Sequence, residues 1–139
     1  MSSFTLALIA AFFWGLSALL EKWGLRNADP VAGVVARTLG VLVGIGLFML
    51  FAPDVPRRFI QMDGRSKLAL MGGGFLASVV AQMFFYRALK DGEVGRVSSV
   101  GGAWPVFAFF LSVLIFHEPL TRGKVFGIFL VTMGVLFLK

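Results

Sequence analysis

Residues 30–53 read PVAGVVARTLGVLVGIGLFMLFAP, a run with one charge, Arg37. It is long enough to cross the roughly 30 Å hydrocarbon core of a bilayer, which takes about 20 helical residues. Asp29 stands just before it and Pro30 opens it, the arrangement of an N-cap carboxylate with proline in the first helical position. The stretch therefore predicts a transmembrane helix with a defined start. Its one charge must find a partner or water inside the membrane.

The same reading extends outward in both directions. Uncharged runs from Phe4 to Leu20, Leu68 to Tyr86, Val97 to Phe116 and Val125 to Leu138, with their flanks, complete a set of five predicted helices over 4–22, 30–53, 67–89, 97–117 and 121–138. Ser66 is the expected cap of the third. The last run has 14 uncharged residues, about 21 Å of helix. It crosses only if Arg122, Lys124 and Lys139 reach out to the headgroups or the bilayer thins. Residues 1–139 are expected to form one all-α integral membrane domain, because 58% hydrophobic residues and a mean hydropathy of +0.90 exclude an ordinary soluble fold. The longest polar stretch, Asp54 to Lys67, still contains Phe59 and Ile60 and reads as an interfacial loop.

Composition removes several classes of function. There is no cysteine and one histidine, so disulfides, thiolate chemistry and a Cys/His metal site are not expected. The net charge of +6 reads as interfacial lysine and arginine meeting anionic headgroups, not as a nucleic-acid footprint. Ser2 and Ser3 give no positive region before the first helix, so it is not expected to be a cleaved signal. Gly72 to Gly74 is not a phosphate loop, since no Lys-Ser or Lys-Thr follows. No close set of acid, base and nucleophile lies within the helices, so no catalytic residues, cofactor or enzymatic activity are expected.

The distribution of charge is more telling. If five helices alternate in direction, Arg57, Arg58, Arg65, Lys67, Arg122 and Lys124 lie on the side of the N-terminus, and Lys22, Arg26, Arg87, Lys90, Arg96 and Lys139 lie opposite. Six face six, with Arg37 inside. Orientation normally follows an excess of Lys and Arg in cytoplasmic loops, so both orientations are expected. With an odd number of spans, two oppositely inserted copies can meet around a two-fold axis in the membrane plane. That is the geometry of inverted-repeat transporters, of which this chain would form one half.

Inside the helices the interruptions mark candidate sites. Arg37 lies seven residues past Pro30, about 10 Å below the interface. It reads either as a cavity cation or as a structural one, snorkelling or paired with an acid. Glu21 and Lys22 close the first helix, pointing about 100° apart, and one of them can face inward. Gly101, Gly102, Trp104 and Pro105 lie near the middle of the fourth, where proline removes an N–H and predicts a bend or local unwinding. Such breaks are pointers to transporter binding sites. Gln82 and Tyr86, one turn apart on the third, can bond a ligand or another helix. Glu118 is a possible coupling acid or the partner of Arg122 or Lys124. Small residues at Ala36, Gly40 and Gly44, at Gly73, Ala77 and Ala81, and at Gly123 and Gly127 predict close helix packing.

Taken in order, Trp14-Gly15 with Lys22 eight positions after the tryptophan, Arg37, Ala88-Leu89 after an aromatic run, Pro105, Glu118, and Gly127 with Gly134 resemble one EamA domain of the drug/metabolite transporter superfamily. The resemblance covers essentially the whole chain. It implies a carrier of small metabolites or drug-like solutes in a prokaryotic cytoplasmic (inner) membrane. Members of that superfamily typically fuse two such domains in inverted orientation, ten helices in all; this chain holds one. The expectation is therefore a secondary transporter working as an antiparallel, dual-topology homodimer. Trp14, Lys22, Arg37, Gln82, Tyr86 and Trp104 would line the cavity, and Gly101, Gly102 and Pro105 would form a hinge. The alternative is a non-transporting subunit, or a half-transporter pairing with a related second chain.

Overall fold

The computed structural model describes residues 1–138, and no strand occurs among them. The helices are α1 (Ser3–Leu25), α2 (Pro30–Phe51), α3 (Val55–Gln61), α4 (Gly64–Phe75), α5 (Ala81–Asp91), α6 (Val94–Gly101), α7 (Trp104–Phe116) and α8 (Arg122–Phe137). A π-helical turn, Leu76–Val80, joins α4 to α5, so Gly64–Asp91 is one continuous helix of 28 residues.

The chain divides into two units. One comprises residues 1–18 and everything from Gly92 onward; the other is Leu19–Asp91. In the second unit α2 packs against α5 and the π turn, and the buried residues are Leu25, Val34, Tyr86 and Leu89. Lys22 at the end of α1 bonds the last carbonyls of α5, and Lys90 of α5 donates to Ala28 O in the α1–α2 connection at 2.8 Å. So α1 and α5 end, and α2 begins, at the same end of this unit, as alternating spans require. In the first unit α7 packs against α8.

Among the described residues, four helices are long and apolar enough to cross a membrane: Ser3–Leu25, Pro30–Phe51, Gly64–Asp91 and Val94–Phe116. Their outward residues are overwhelmingly large and apolar, Phe4, Phe12, Leu50, Phe51, Leu68 and Phe116 among them, a surface that suits lipid and not water. The expected count of five is thus met only in part. Helix α8 has 16 residues, about 24 Å, short of the roughly 30 Å core. Lys139, placed above at its end, lies outside the described residues.

Helix starts follow local chemistry. Asp29 Oδ1 accepts from Val31 N at 2.9 Å and from Ala32 N at 3.1 Å, capping α2 as its position before Pro30 predicts. The third span begins earlier than its apolar run. Asp63, not Ser66, is the cap, its Oδ2 accepting from Ser66 N at 2.9 Å. Within Asp54 to Lys67 the chain forms the short helix α3, where Arg58 pairs with Asp54 at 2.9 Å and Lys67 donates to Ile60 O. Gly33 lies in tight contact across helices: a Cβ there would sit 3.0 Å from Leu25 Cδ2 and 3.1 Å from the Tyr86 ring. Gly40, Gly44, Gly73, Gly123 and Gly127, read above as packing stripes, have no described atom beyond their chain neighbours and their own helix backbone within 4 Å of where a Cβ would stand.

Candidate functional site

Arg37, Gln82 and Tyr86 come together in the Leu19–Asp91 unit, around an acid that the sequence reading left at a helix end. Glu21 lies four residues before the end of α1, and its Oε1 stands 3.3 Å from Arg37 Nε. Gln82 Nε2 lies 3.5 Å from Glu21 Oε2, and the Tyr86 hydroxyl is within hydrogen-bonding reach of both Glu21 and Gln82. The Tyr86 ring lies against the bare backbone of Gly33 and is only 3% exposed. Glu21's side chain is 14% exposed and Arg37's 31%. Arg37 Nη1 is buried with no acceptor among the described residues. An unmet donor of this kind costs about 1–3 kcal/mol, so the guanidinium is held but not satisfied.

The π turn sets which residues reach this cluster. Ala81 N bonds Leu76 O, five residues back, so one extra residue is accommodated and the face of α5 is rotated relative to α4. Gln82 and Tyr86, one turn apart just after it, then project toward Glu21. π turns recur at functional sites, and nothing in the composition of Leu76–Val80 announces this one.

Lys22 is engaged differently from the cavity role given to it above. Its Nζ donates to Leu89 O at 2.7 Å and Lys90 O at 2.8 Å, carbonyls at the C-terminal end of α5 where the helix lacks internal donors and the macrodipole is negative. The cation completes a helix end there.

Trp14, Trp104, Gly101, Gly102, Pro105 and Glu118 belong to the other unit. Trp14 is 64% exposed. Between Val94–Gly101 and Trp104–Phe116 the helix is interrupted at Gly102 and Ala103, with Gly102 N bonded to Ser98 O at 2.7 Å and Ala103 N to Val100 O at 3.1 Å. Pro105 follows in the first turn of α7. A Cβ at Gly102 would stand 3.1 and 3.3 Å from the Ser98 and Ser99 carbonyl oxygens. A groove of about 570 Å³ between α7 and α8 is lined by Trp104, Pro105, Phe109, Ser112 and Gly127, with Glu118 and Lys124 beside them. Glu118 Oε2 accepts from Lys124 Nζ at 2.9 Å, the partnership foreseen for a helix-end acid. His117, at φ 53°, ends α7 in the left-handed region.

An ion pair among apolar helices of membrane-spanning length defines a multi-pass integral membrane protein with a polar site inside its helical framework. The chain belongs to the EamA-like transporter family, whose description matches residues 1–139. Among curated proteins it is similar to an "Uncharacterized transporter" of Methanothermobacter thermautotrophicus, 29% identical over 93% of this chain and 40% of that protein. It is also similar to a "Probable amino-acid metabolite efflux pump" of Salmonella typhimurium, 31% identical over 96% of this chain and 41% of that protein. The chain spans about two-fifths of the length of these two relatives. An "Uncharacterized transporter in cobO 3'region" of a Sinorhizobium species is close to it in length, 27% identical over 95% of this chain and 92% of its own. No solved structure gives a significant match.

Proposed function

We propose that the protein is a secondary transporter that moves a small metabolite or drug-like solute across a prokaryotic cytoplasmic membrane, as an antiparallel homodimer of copies inserted in both orientations. The observation that carries this reading is the Glu21–Arg37 pair with Gln82 and Tyr86 beside it, set into helices whose other faces are apolar. A scaffold has no need of a guanidinium in the hydrocarbon, where insertion costs about 2.5–3.5 kcal/mol, nor of one left with a buried, unbonded nitrogen. Family membership and the relatives' names support transport, and the Salmonella relative's name makes amino-acid metabolites the first solutes to try. In this reading α8 crosses as a fifth helix, short but flanked by Arg122 and Lys124, and the break at Gly102–Ala103 flexes between inward-open and outward-open states.

A second reading has its own observation. The first two relatives are each more than twice as long as this chain, so a related second chain could supply the other half. Reconstitution of the purified protein into liposomes decides between them. Saturable flux of an amino-acid metabolite from one kind of chain supports the homodimer. Flux that appears only on co-reconstitution with a related chain supports the half-transporter. A correctly folded protein inert in both settings sinks the transport reading.

A further inference from the structure

We propose that Glu21 is a specificity-determining residue of this site, and that with Arg37 it selects solutes carrying one cationic and one anionic group close together. The inference rests on reading the cluster as the solute site.

The two charges set the rule. Lys22 is turned to the Leu89 and Lys90 carbonyls, and Arg37 is matched by Glu21 at 3.3 Å, so the pair that faces a solute is neutral overall. It is also incomplete. Contact is made through Nε, and Nη1 has no acceptor among the described residues, although a guanidinium presents its donors as a planar fork suited to a carboxylate. Charge neutrality then discriminates. A purely anionic solute on Arg37 would put a second carboxylate beside Glu21, and a purely cationic one on Glu21 would strand Arg37; both leave an uncompensated charge in a poorly solvated place. A solute with both signs gives its anion to the open guanidinium nitrogens and its cation to Glu21, replacing one pair by two with no net charge. Gln82 and Tyr86 would keep Glu21 oriented during the exchange.

The test uses three probes that share a phenylalkyl body and differ in charge: phenylalanine, with both charges, 3-phenylpropionate, an anion, and phenethylamine, a cation. Binding is measured by titration calorimetry to the full chain in lipid nanodiscs. The wild type should bind phenylalanine about tenfold or more tightly than either singly charged probe. Glu21→Gln should bring 3-phenylpropionate level with or above phenylalanine, Arg37→Gln should do the same for phenethylamine, and Glu21→Asp should keep the wild-type ranking. Should the glutamine variants fail to fold, the wild-type ranking still decides. The proposal is overturned if the wild type binds a singly charged probe as tightly as phenylalanine, if it binds none of the three, or if Glu21→Gln keeps the original preference. Binding with the expected ranking but no flux in liposomes would leave this inference standing and remove the transport reading. Flux of some solute without that ranking would do the reverse.

Discussion

Arg37 and Glu21 form the ion pair at the centre of the candidate site, with Nε and Oε1 3.3 Å apart. A charge ten ångströms into an apolar helix had to be paired, wet or snorkelling, and the structure pairs it with Glu21. What sequence could not say was which acid. Glu21 sits next to Lys22 at the end of an apolar run, where a solvated pair of helix-end charges is the plain expectation, and only the packing of α1 near α2 and α5 turns one inward and the other to carbonyls. The pair is expected to matter asymmetrically. Arg37→Ala should abolish flux and lower stability by about 1–3 kcal/mol. That is less than the 3–5 of a fully buried broken pair, because a third of the Arg37 side chain is exposed. Arg37→Lys should retain part of the flux as a point charge without the fork. The double variant Glu21→Gln/Arg37→Gln should recover the thermal stability in detergent but not the flux; a double variant that transports normally would make the pair structural. Gly33 gives a second prediction. Alanine normally gains up to about 1 kcal/mol over glycine within a helix, but here its Cβ would press on Leu25 and Tyr86, both nearly fully buried. Gly33→Ala should therefore lose roughly 1–3 kcal/mol as overpacking, whereas Gly40→Ala, with open space around it, should leave the unfolding of a single chain unchanged or improved. Equal losses at the two positions would refute the packing argument.

At the scale of elements, legibility followed from how local the cause was. Asp29 before Pro30 caps α2 by contacts two and three residues away, and that start was readable. So was the interruption before Pro105, since a missing N–H and paired glycines act on their own helix. The π turn was not readable, because its five residues, Leu76 to Val80, are ordinary in composition and carry no local signal for it. The third span's early start was missed for a smaller reason: two polar residues, Asp63 and Ser66, both qualify as caps, and the carboxylate wins. Here a pH effect follows. The Ser66 hydroxyl and then its amide hold the Asp63 carboxyl below the usual carboxylate range. The cap's contribution is therefore present above the ordinary aspartate pKa and is lost as pH falls through the lowered one. The protection of the Ser66 amide against exchange, relative to its intrinsic rate at each pH, should fall below about pH 4, while Asp63→Asn should remove that dependence; a protection factor in the wild type that does not change with pH would contradict it. The break in the fourth span gives the sharper element-scale prediction. Pro105→Ala restores a donor that can reach the Gly101 carbonyl once the break closes into continuous helix, so the protein should become equally or more heat-resistant yet slower in transport. Unchanged flux in Pro105→Ala would reduce the break to a packing kink.

For the whole molecule, topology turns on α8. With five crossings the Lys and Arg residues divide six and six, and nothing in the loops instructs the chain which way to insert. With four, Arg122, Lys124 and Lys139 all stay on the side of Arg57, Arg58, Arg65 and Lys67, giving seven against five, and one orientation should prevail. The two cases separate in a single experiment. Compartment-sensitive reporters fused at either end should each signal from both sides of the membrane in the unmodified chain, and one lysine added next to the N-terminus should tip the population strongly to one side. In that tipped population a fifth crossing puts the two ends on opposite sides, whereas four crossings put them on the same side. A short α8 of about 24 Å can cross by drawing Arg122 and Lys124 to the headgroups or by thinning the bilayer, at fractions of a kcal/mol per ångström of mismatch, a cost small enough for packing against α7 to offset. Opposite ends in the tipped population together with dual signals in the parent would establish the antiparallel arrangement's precondition. A parent that reports from one side only would exclude the antiparallel homodimer, whatever the number of spans.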